Sequence, residues 1–177
     1  MSARSFLAFL AVLAVIGLLG FGLLSKGGAE VAIGDPVPDR ELPRLGGDGT
    51  GSIADYRGRW VLVNLWASWC PPCRQEAPAL ERFQRRYRDA GVTVLGIDVQ
   101  DNSDDALAFL RDYPTTYPQL RSVGDERSDA FGSGGVPENF LVDRNGRIAL
   151  VRRGPVDDRF LRENVAPLVA RGSGGSR

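Results

Sequence analysis

Hydrophobic residues form one long segment near the N-terminus and a series of shorter segments after it. The long segment, Phe6–Leu24, is almost entirely apolar and carries no charge. At about 1.5 Å per residue, a helix of this length matches the roughly 30 Å hydrocarbon core of a bilayer. We therefore predict a transmembrane anchor and the start of a linker at residues 1–29, one folded domain at residues 30–171 and a flexible tail at residues 172–177.

The alternative for the apolar segment is a secretory signal that is cleaved near Ala29 or Ala32. The apolar region of such a signal is shorter, about 7–15 residues, so the sequence favours a retained anchor. Arg4 and Lys26 flank the segment and give a weak charge asymmetry. A short apolar segment before a whole domain usually directs export of that domain. We therefore expect a single-pass protein of the cell membrane, with its folded domain on the extracytoplasmic side.

Within the domain, the hydrophobic spacing alternates between the patterns of buried strands and of amphipathic helices. Mostly apolar segments predict strands at Trp60–Trp66 and Val92–Val99. Between them, apolar residues three and four positions apart predict a helix that begins after Cys70 and ends at Gly91. The later elements are a second helix, a hairpin and a last helix: Asp104–Tyr113 with Ser103 as its N-cap, the strands Phe140–Val142 and Ile148–Val151, and a helix after Pro155. This alternation of strands and helices indicates an α/β fold.

The composition narrows the chemistry that this fold can perform. The chain has 22 basic and 22 acidic residues, no histidine and two cysteines. The balanced charge gives no indication of a nucleic-acid partner. Without histidine, imidazole bases and Cys–His or Ser–His pairs are excluded, and two cysteines alone cannot complete a tetrahedral zinc site. Thiol chemistry therefore depends on Cys70 and Cys73, and we expect neither a metal nor a cofactor.

The two cysteines lie in a Cys-Pro-Pro-Cys motif at the junction of a predicted strand and a predicted helix. At a helix N-terminus, unpaired N–H groups and the helix dipole favour the thiolate form of Cys70. Cys73 lies one turn later, close enough to form a disulfide with Cys70, and prolines are tolerated in a first helical turn. A c-type haem attachment needs a histidine where Arg74 stands, and a purely structural disulfide over so short a loop would add little stability. The motif therefore indicates redox catalysis.

A second motif, Gly134–Asp143, contains a proline immediately before a predicted strand. A proline is unusual at that place unless it begins an edge strand or belongs to a special turn. From the residues alone, Pro137 either starts the strand with an ordinary trans bond or follows a cis Val136–Pro137 bond. The cis bond is a hypothesis that a structure can test.

Taken together, these motifs resemble the membrane-anchored thioredoxin-like thiol–disulfide oxidoreductases, and among them the TlpA/ResA/DsbE group linked to cytochrome c maturation. The resemblance is carried by Trp66–Cys73, by Arg74–Pro78 and by the Gly-Val-Pro-Glu-Asn-Phe-Leu-Val-Asp sequence that ends at Asp143. It extends from about Ile33 to Leu168. It implies a thioredoxin-like fold, with a central mixed β-sheet flanked by helices, and thiol exchange without a cofactor.

The resemblance also implies roles for individual residues. Cys70 would be the exposed attacking thiolate and Cys73 the buried resolving thiol. Pro137 would be the cis-proline beside the disulfide, and the backbone of Val136 would pair with an extended substrate. Further contacts near the substrate are expected from four side chains: Trp69, Pro71, Pro72 and Glu138.

The resemblance implies a proton acceptor at a different position from that of thioredoxin. Thioredoxin has a buried aspartate in the strand before the motif, and Asn64 stands there in this chain. In the family, an acidic residue just past the next strand is implicated, and Asp101 occupies that position. From the residues alone, Asp101 is equally well a loop carboxylate that caps the following helix.

The function that we predict is reduction of disulfides in exported proteins, with apocytochrome c as the obvious candidate and a membrane protein as the electron donor. One alternative is a thiol oxidase that inserts disulfides into exported proteins and passes electrons to a membrane acceptor. Another is a non-enzymatic module that holds a peptide in a thioredoxin-type groove. The intact Cys-x-x-Cys motif argues against this last alternative.

Overall fold

The computed structural model describes residues 12–13, 15–18, 31–122, 131 and 134–172. Residues 12–13 and 15–18 are helical, and their large apolar side chains are exposed. Most of the predicted anchor Phe6–Leu24 and of the predicted tail lies outside the described residues. Within the described part of the chain, no helix has both the length and the apolar character that crossing a membrane requires.

The described domain alternates strands and helices in the predicted order, with three short strands that were not predicted. The strands are β1 (Leu42–Pro43), β2 (Thr50–Gly51), β3 (Trp60–Trp66), β4 (Val92–Asp98), β5 (Gln119–Arg121), β6 (Glu138–Val142) and β7 (Ile148–Arg153). The helices are α1 (Pro71–Tyr87), α2 (Ser103–Asp112) and a C-terminal segment, α3, made of Asp158–Phe160, a π-helical Leu161–Val165 and Ala166–Gly172. Two 3₁₀ turns, Ala54–Tyr56 and Arg88–Ala90, complete the described elements.

The central sheet has five strands in the order β5-β4-β3-β6-β7. The pairs β3–β4 and β4–β5 are parallel, whereas β3–β6 and β6–β7 are antiparallel. The mixed central sheet that the family resemblance implied is therefore confirmed. Strands β3 and β4 are buried along their whole length, as their mostly apolar sequences predicted.

The two faces of this sheet are covered differently. Residues of α1 and α3 pack on one face with Leu62, Val94 and Leu141, and α2 joins them through Phe109, which stacks on Trp66. The N-terminal segment covers the other face, where its apolar residues join Val63, Leu95 and Phe140. These N-terminal residues are Val37, Leu42 and Ile53.

The chain enters the sheet at the end opposite to the Cys-Pro-Pro-Cys motif. Pro36 forms an antiparallel bridge with Arg147 in the turn between β6 and β7. This turn follows Val142, which pairs with Val61 near the amino end of β3. The dithiol motif follows the carboxyl end of β3, so the length of the sheet separates it from the incoming chain.

Several boundaries follow local rules that the sequence displays. Helix α1 ends at Tyr87 and passes into the 3₁₀ turn, and Gly91 then adopts the left-handed conformation with φ of 77°. The prediction that Ser103 caps α2 is wrong. Asn102 has the extended backbone of an N-cap, and its side chain accepts a hydrogen bond of 2.9 Å from the Asp105 N–H. Ser103 is already helical, and its hydroxyl accepts a hydrogen bond from Arg121.

Candidate active site

The two cysteines form a disulfide at the N-terminus of α1. Cys70 is the N-cap, and Pro71 and Pro72 are the first residues of the helix. Because proline has no N–H group, the Cys73 N–H is the first donor that the helix offers. It points to Cys70, 3.2 Å from Sγ. In the reduced protein, this donor and the helix dipole favour a negative charge on the Cys70 sulfur.

The Val136–Pro137 peptide bond is cis, which confirms the hypothesis drawn from the sequence. Val136 packs against the apolar cluster that contains both Cys70 and Cys73. Pro137 is buried, and its carbonyl accepts a hydrogen bond of 2.9 Å from the Gly154 N–H. The structure therefore brings the cis-proline segment and the disulfide into one cluster, although 66 positions separate Cys70 from Val136 in the sequence.

Cys70 is buried in the disulfide form that the structure describes, so the exposure expected of its thiolate in the reduced protein stays a prediction. Cys70 and Cys73 are both 1% exposed. The sulfur of Cys70 turns inward because it is bonded to Cys73 and lies against the first N–H of α1. The exposed group at this edge is Trp69, at 54%. Next to it Pro71 is exposed and Pro72 is half-buried, so these three side chains form the surface that a partner meets first.

A buried carboxyl group that was not predicted from the sequence lies one turn beyond Cys73. Glu76 is 1% exposed, and its carboxylate accepts three hydrogen bonds. The donors are the side-chain amides of Asn64, at 2.7 Å, and Asn139, at 3.0 Å, and the Val156 N–H, at 3.0 Å. The two amides also bond to each other, at 3.1 Å. Glu76 thus connects β3, α1, β6 and the segment before α3.

Burial raises the pKa of Glu76 from its ordinary value of 4.5 to about 7, although the three hydrogen bonds act in the opposite direction. A group with this pKa exchanges its proton readily at neutral pH. The helical spacing contained the signal, because Glu76 lies three positions after Cys73 and four before Leu80, on the buried side of α1. A carboxylate at an apolar position of a helix beside a reactive thiol indicates a functional group.

Asp101 lies beside the segment that precedes the disulfide. Its carboxylate accepts hydrogen bonds from the N–H of Ser68, at 2.6 Å, and from its hydroxyl, at 3.0 Å. It also accepts one from the Asn102 N–H, at 2.9 Å. The neighbouring Gln100 carbonyl accepts a hydrogen bond of 3.0 Å from the indole N–H of Trp69. These contacts hold the Ser68–Trp69 segment in place, and the proton-accepting role of Asp101 stays a prediction.

Glu138 does not face the dithiol helix. It lies directly opposite Leu65 in the sheet, and opposite residues of antiparallel strands share a face. Leu65 belongs to the cluster on the N-terminal side of the sheet, away from α1. The carboxylate of Glu138 forms an ion pair of 2.9 Å with Arg153.

The residues that the structure describes contain no group of three or more His, Cys, Asp or Glu side chains that could hold a metal ion.

Comparison with known proteins agrees with this geometry. Residues 33–151 match the model of the AhpC/TSA family. The thiol:disulfide interchange protein DsbE of Allochromatium vinosum is 39% identical over 142 residues, which is 79% of this chain and 77% of that protein. The thiol-disulfide oxidoreductase ResA of Geobacillus thermodenitrificans is 30% identical, over 76% of this chain and 77% of its own. HelX of Rhodobacter capsulatus, also a thiol:disulfide interchange protein, is 35% identical over 77% of each chain.

Solved structures show the same relationship. A crystal structure of a protein described as a putative thiol:disulfide interchange protein DsbE from Chlorobium tepidum superposes with a TM-score of 0.73 at 29% identity. The superposition covers 82% of this chain and 100% of the Chlorobium tepidum chain. A secreted thiol-disulfide isomerase of Corynebacterium glutamicum gives a TM-score of 0.69 at 27% identity, over 82% and 95% of the two chains. The chain therefore belongs to the thioredoxin-like AhpC/TSA family and, within it, to the thiol–disulfide oxidoreductases of the DsbE, ResA and HelX type.

Proposed function

We propose that this chain is a membrane-tethered, extracytoplasmic oxidoreductase that reduces disulfides of exported proteins, with apocytochrome c as the leading candidate substrate. The observation that carries the proposal is the Cys70–Cys73 disulfide at the N-terminus of α1, in one cluster with Val136 of the cis-proline segment. The relatives named thiol:disulfide interchange proteins support the class of reaction. The reductive direction and the substrate rest on the resemblance to the TlpA/ResA/DsbE group.

The reaction needs only the two thiols. In the reduced protein, Cys70 Sγ attacks one sulfur of the partner's disulfide, and the partner's other sulfur leaves as a thiolate. Cys73 then loses its proton and its Sγ attacks Cys70 Sγ. The Cys70–Cys73 disulfide forms, the mixed disulfide breaks and the partner leaves as a dithiol. Two electrons have passed to the partner, so a membrane dithiol must reduce the protein again.

We infer that Glu76 accepts the proton that Cys73 loses before it attacks Cys70. This carboxylate lies one turn after Cys73 on the buried side of α1, and its pKa of about 7 matches a group that accepts a proton at neutral pH. The amides of Asn64 and Asn139 hold it in a fixed position. Asp101 is the competing acceptor. The pH dependence of the resolving rate in Glu76→Gln and in Asp101→Asn separates the two assignments.

The direction of electron flow is tested by the reduction potential of the Cys70–Cys73 pair, measured at equilibrium with glutathione. A value near that of thioredoxin, about −270 mV, supports a reductase, and a value near −120 mV would assign the protein to the oxidases. A double variant, Cys70→Ser with Cys73→Ser, is the control for binding. Unchanged peptide binding in this variant, together with no thiol exchange in the wild type, would support a binding module instead.

The tether has its own support and its own test. The sequence Phe6–Leu24 is apolar, and the described residues within it are helical with exposed side chains, an arrangement that is stable in lipid and unfavourable in water. We expect the full chain to stay in the pellet when membranes are extracted at alkaline pH. A variant that lacks residues 1–29 should be released. In intact cells, a membrane-impermeant thiol reagent should label the reduced dithiol; labelling that occurs only after the cells are lysed would overturn the orientation.

A further inference from the structure

A second buried carboxyl group lies at the end of β4, and the mechanism above does not use it. Asp98 is 0% exposed, and neither of its carboxylate oxygens accepts a hydrogen bond from an N–H or O–H donor of the described residues. The guanidinium of Arg121 is close, with Nε 3.7 Å from Oδ2, which is too long for a hydrogen bond. A buried carboxylate without donors is costly, so this group needs another partner.

That partner is Asp101. Burial raises the pKa of Asp98 to about 8, and the charge of Asp101 and a hydrogen bond with its carboxyl group add to this effect, whereas Arg121 opposes it. Two carboxyl groups form a hydrogen bond only when one of them carries a proton. Burial and the neighbouring carboxylate therefore favour the protonated form of Asp98 at neutral pH, the form that can donate to the Asp101 carboxylate.

The same loop supports the segment in front of the disulfide. Asp101 accepts both hydrogen bonds of Ser68, and Gln100, whose φ of 53° is left-handed, presents its carbonyl to the indole of Trp69. From the other side, Arg121 Nη2 donates to the Asp101 carbonyl at 2.8 Å. Asp98 and Arg121 thus fix Asp101, and Asp101 fixes the residues that lead into Cys70.

We propose that Asp98 is a positioning residue of the redox site: its buried carboxyl group and the guanidinium of Arg121 anchor Asp101, which keeps the Ser68–Trp69 segment docked beside Cys70. The proposal deepens the function proposed above and rests on it for the role of the dithiol. Among the described residues, the charged groups that face Asp98 are Asp101, from the loop after β4, and Arg121, from β5. Ionisation of Asp98 places two negative charges beside one guanidinium, which weakens the hold on Ser68 and releases Trp69.

The test uses the oxidised full chain, because its cysteines are bonded to each other and do not titrate. Intrinsic tryptophan fluorescence is followed from pH 6 to pH 9.5. We expect a transition centred near pH 8 that disappears in Trp69→Phe, which assigns the signal, and in Asp98→Asn, whose amide donates a hydrogen bond but has no proton to lose. Glu76→Gln removes the buried carboxyl group on α1 and should keep the transition.

Arg121→Gln provides a second test if Asp98→Asn fails to fold. Loss of the guanidinium should move the transition to higher pH, because the positive charge of Arg121 favours ionised Asp98. A wild-type signal that is flat between pH 7 and pH 9, or an Asp98→Asn profile identical to the wild type, would overturn the proposal. Neither measurement involves a substrate or a redox partner, so this outcome is independent of the direction of electron flow.

The functional consequence is measured on the reduced protein. The rate at which iodoacetamide alkylates Cys70 should rise with pH in the wild type and in Asp98→Asn. Above pH 8.5, we expect the two rates to differ at least twofold, because only the wild type has lost the contact that holds Asp101. Parallel profiles over the whole range would show that Asp98 does not position the dithiol.

Discussion

At the scale of single residues, the two sulfurs have different tasks because they occupy different places on α1. Cys70 is the N-cap beside the exposed Trp69, whereas Cys73 lies inside the first turn. We expect Cys70→Ala to abolish disulfide reduction, because no sulfur is left to attack the partner. Cys73→Ala should instead accumulate the mixed disulfide, because the resolving step is lost. Non-reducing electrophoresis of each variant with an exported disulfide protein measures both outcomes, and the same adduct with Cys70→Ala would contradict the assignment.

Glu76 gives a second prediction at this scale. If it accepts the proton of Cys73, the resolving step accelerates as pH rises through about 7, where the carboxyl group loses its own proton. Glu76→Gln should slow this step by about 100-fold, the lower end of general acid–base catalysis, and remove its dependence on pH near 7. The resolving step can be followed when the reduced protein reacts with a chromogenic aromatic disulfide. Attack by Cys70 releases the first chromophore, and attack by Cys73 on the mixed disulfide releases the second in a unimolecular phase.

The control for Glu76 is Glu163→Gln, a change in an exposed carboxylate on α3. Its resolving rate should equal that of the wild type. An unchanged rate in Glu76→Gln would instead leave Asp101 as the acceptor, and Asp101→Asn in the same assay would then show the loss.

Sequence reasoning found the cysteines, the cis-proline and the loop of Asp101, because each follows from a local motif or from the resemblance. It did not find Glu76 or Asp98 as functional groups. Their properties come from burial, and burial depends on how the helices and strands pack rather than on the neighbouring sequence. The partners of Glu76 show this, since Asn64, Asn139 and Val156 come from three separate parts of the chain.

At the scale of elements, the turn between α1 and β4 depends on one glycine. Gly91 has φ of 77°, and no atom lies closer than 4.0 Å to the place where a Cβ would be. A substitution there is therefore strained by the backbone alone. We expect Gly91→Ala to lower the free energy of unfolding by about 1–2 kcal/mol, the cost of a left-handed residue with a side chain.

The matched change is Gly47→Ala. Gly47 also has open space around it, and its φ lies outside the left-handed range. Urea unfolding of the oxidised proteins should show a loss for Gly91→Ala and almost none for Gly47→Ala. Equal losses of stability in the two variants would mean that the left-handed backbone of Gly91 does not cause the destabilisation.

The elements that the sequence failed to predict are short. Strands β1 and β2 have two residues each and β5 has three, so none is long enough to show a periodic pattern. Their positions are set by contacts between distant residues, such as the bridge between Arg44 and Leu120. By contrast, β3 and β4 have seven residues each and are mostly apolar, and they were predicted almost to the residue.

At the scale of the whole molecule, two buried carboxyl groups make stability depend on pH. The pKa of Glu76 rises from 4.5 to about 7 on folding, and that of Asp98 rises from 3.8 to about 8. Between the unfolded and folded pKa, the folded protein holds a proton that the unfolded chain has lost. Stability therefore falls as pH rises, by about 1.4 kcal/mol per pH unit for each group.

We expect the free energy of unfolding of the oxidised protein to decrease between pH 5 and pH 8. Glu81 and Asp158 have lowered pKa values, so their contributions are lost only in more acidic solutions and stay constant in this range. Glu76→Gln should roughly halve the slope between pH 5 and pH 7, and Asp98→Asn should halve it there and abolish it between pH 7 and pH 8. Denaturant unfolding at a series of pH values measures these slopes, and stability that is constant or rises would contradict the prediction.

The direction in which the chain enters the sheet has a consequence for partner proteins. Pro36 joins the sheet near the amino end of β3, and the dithiol follows its carboxyl end, about 20 Å away for a strand of seven residues. With the proposed anchor in the bilayer, the reactive sulfurs face away from the lipid. We then expect a donor in the same membrane to carry its cysteines on a segment that projects about this far from the surface, and soluble substrates to approach the dithiol from the side away from the lipid.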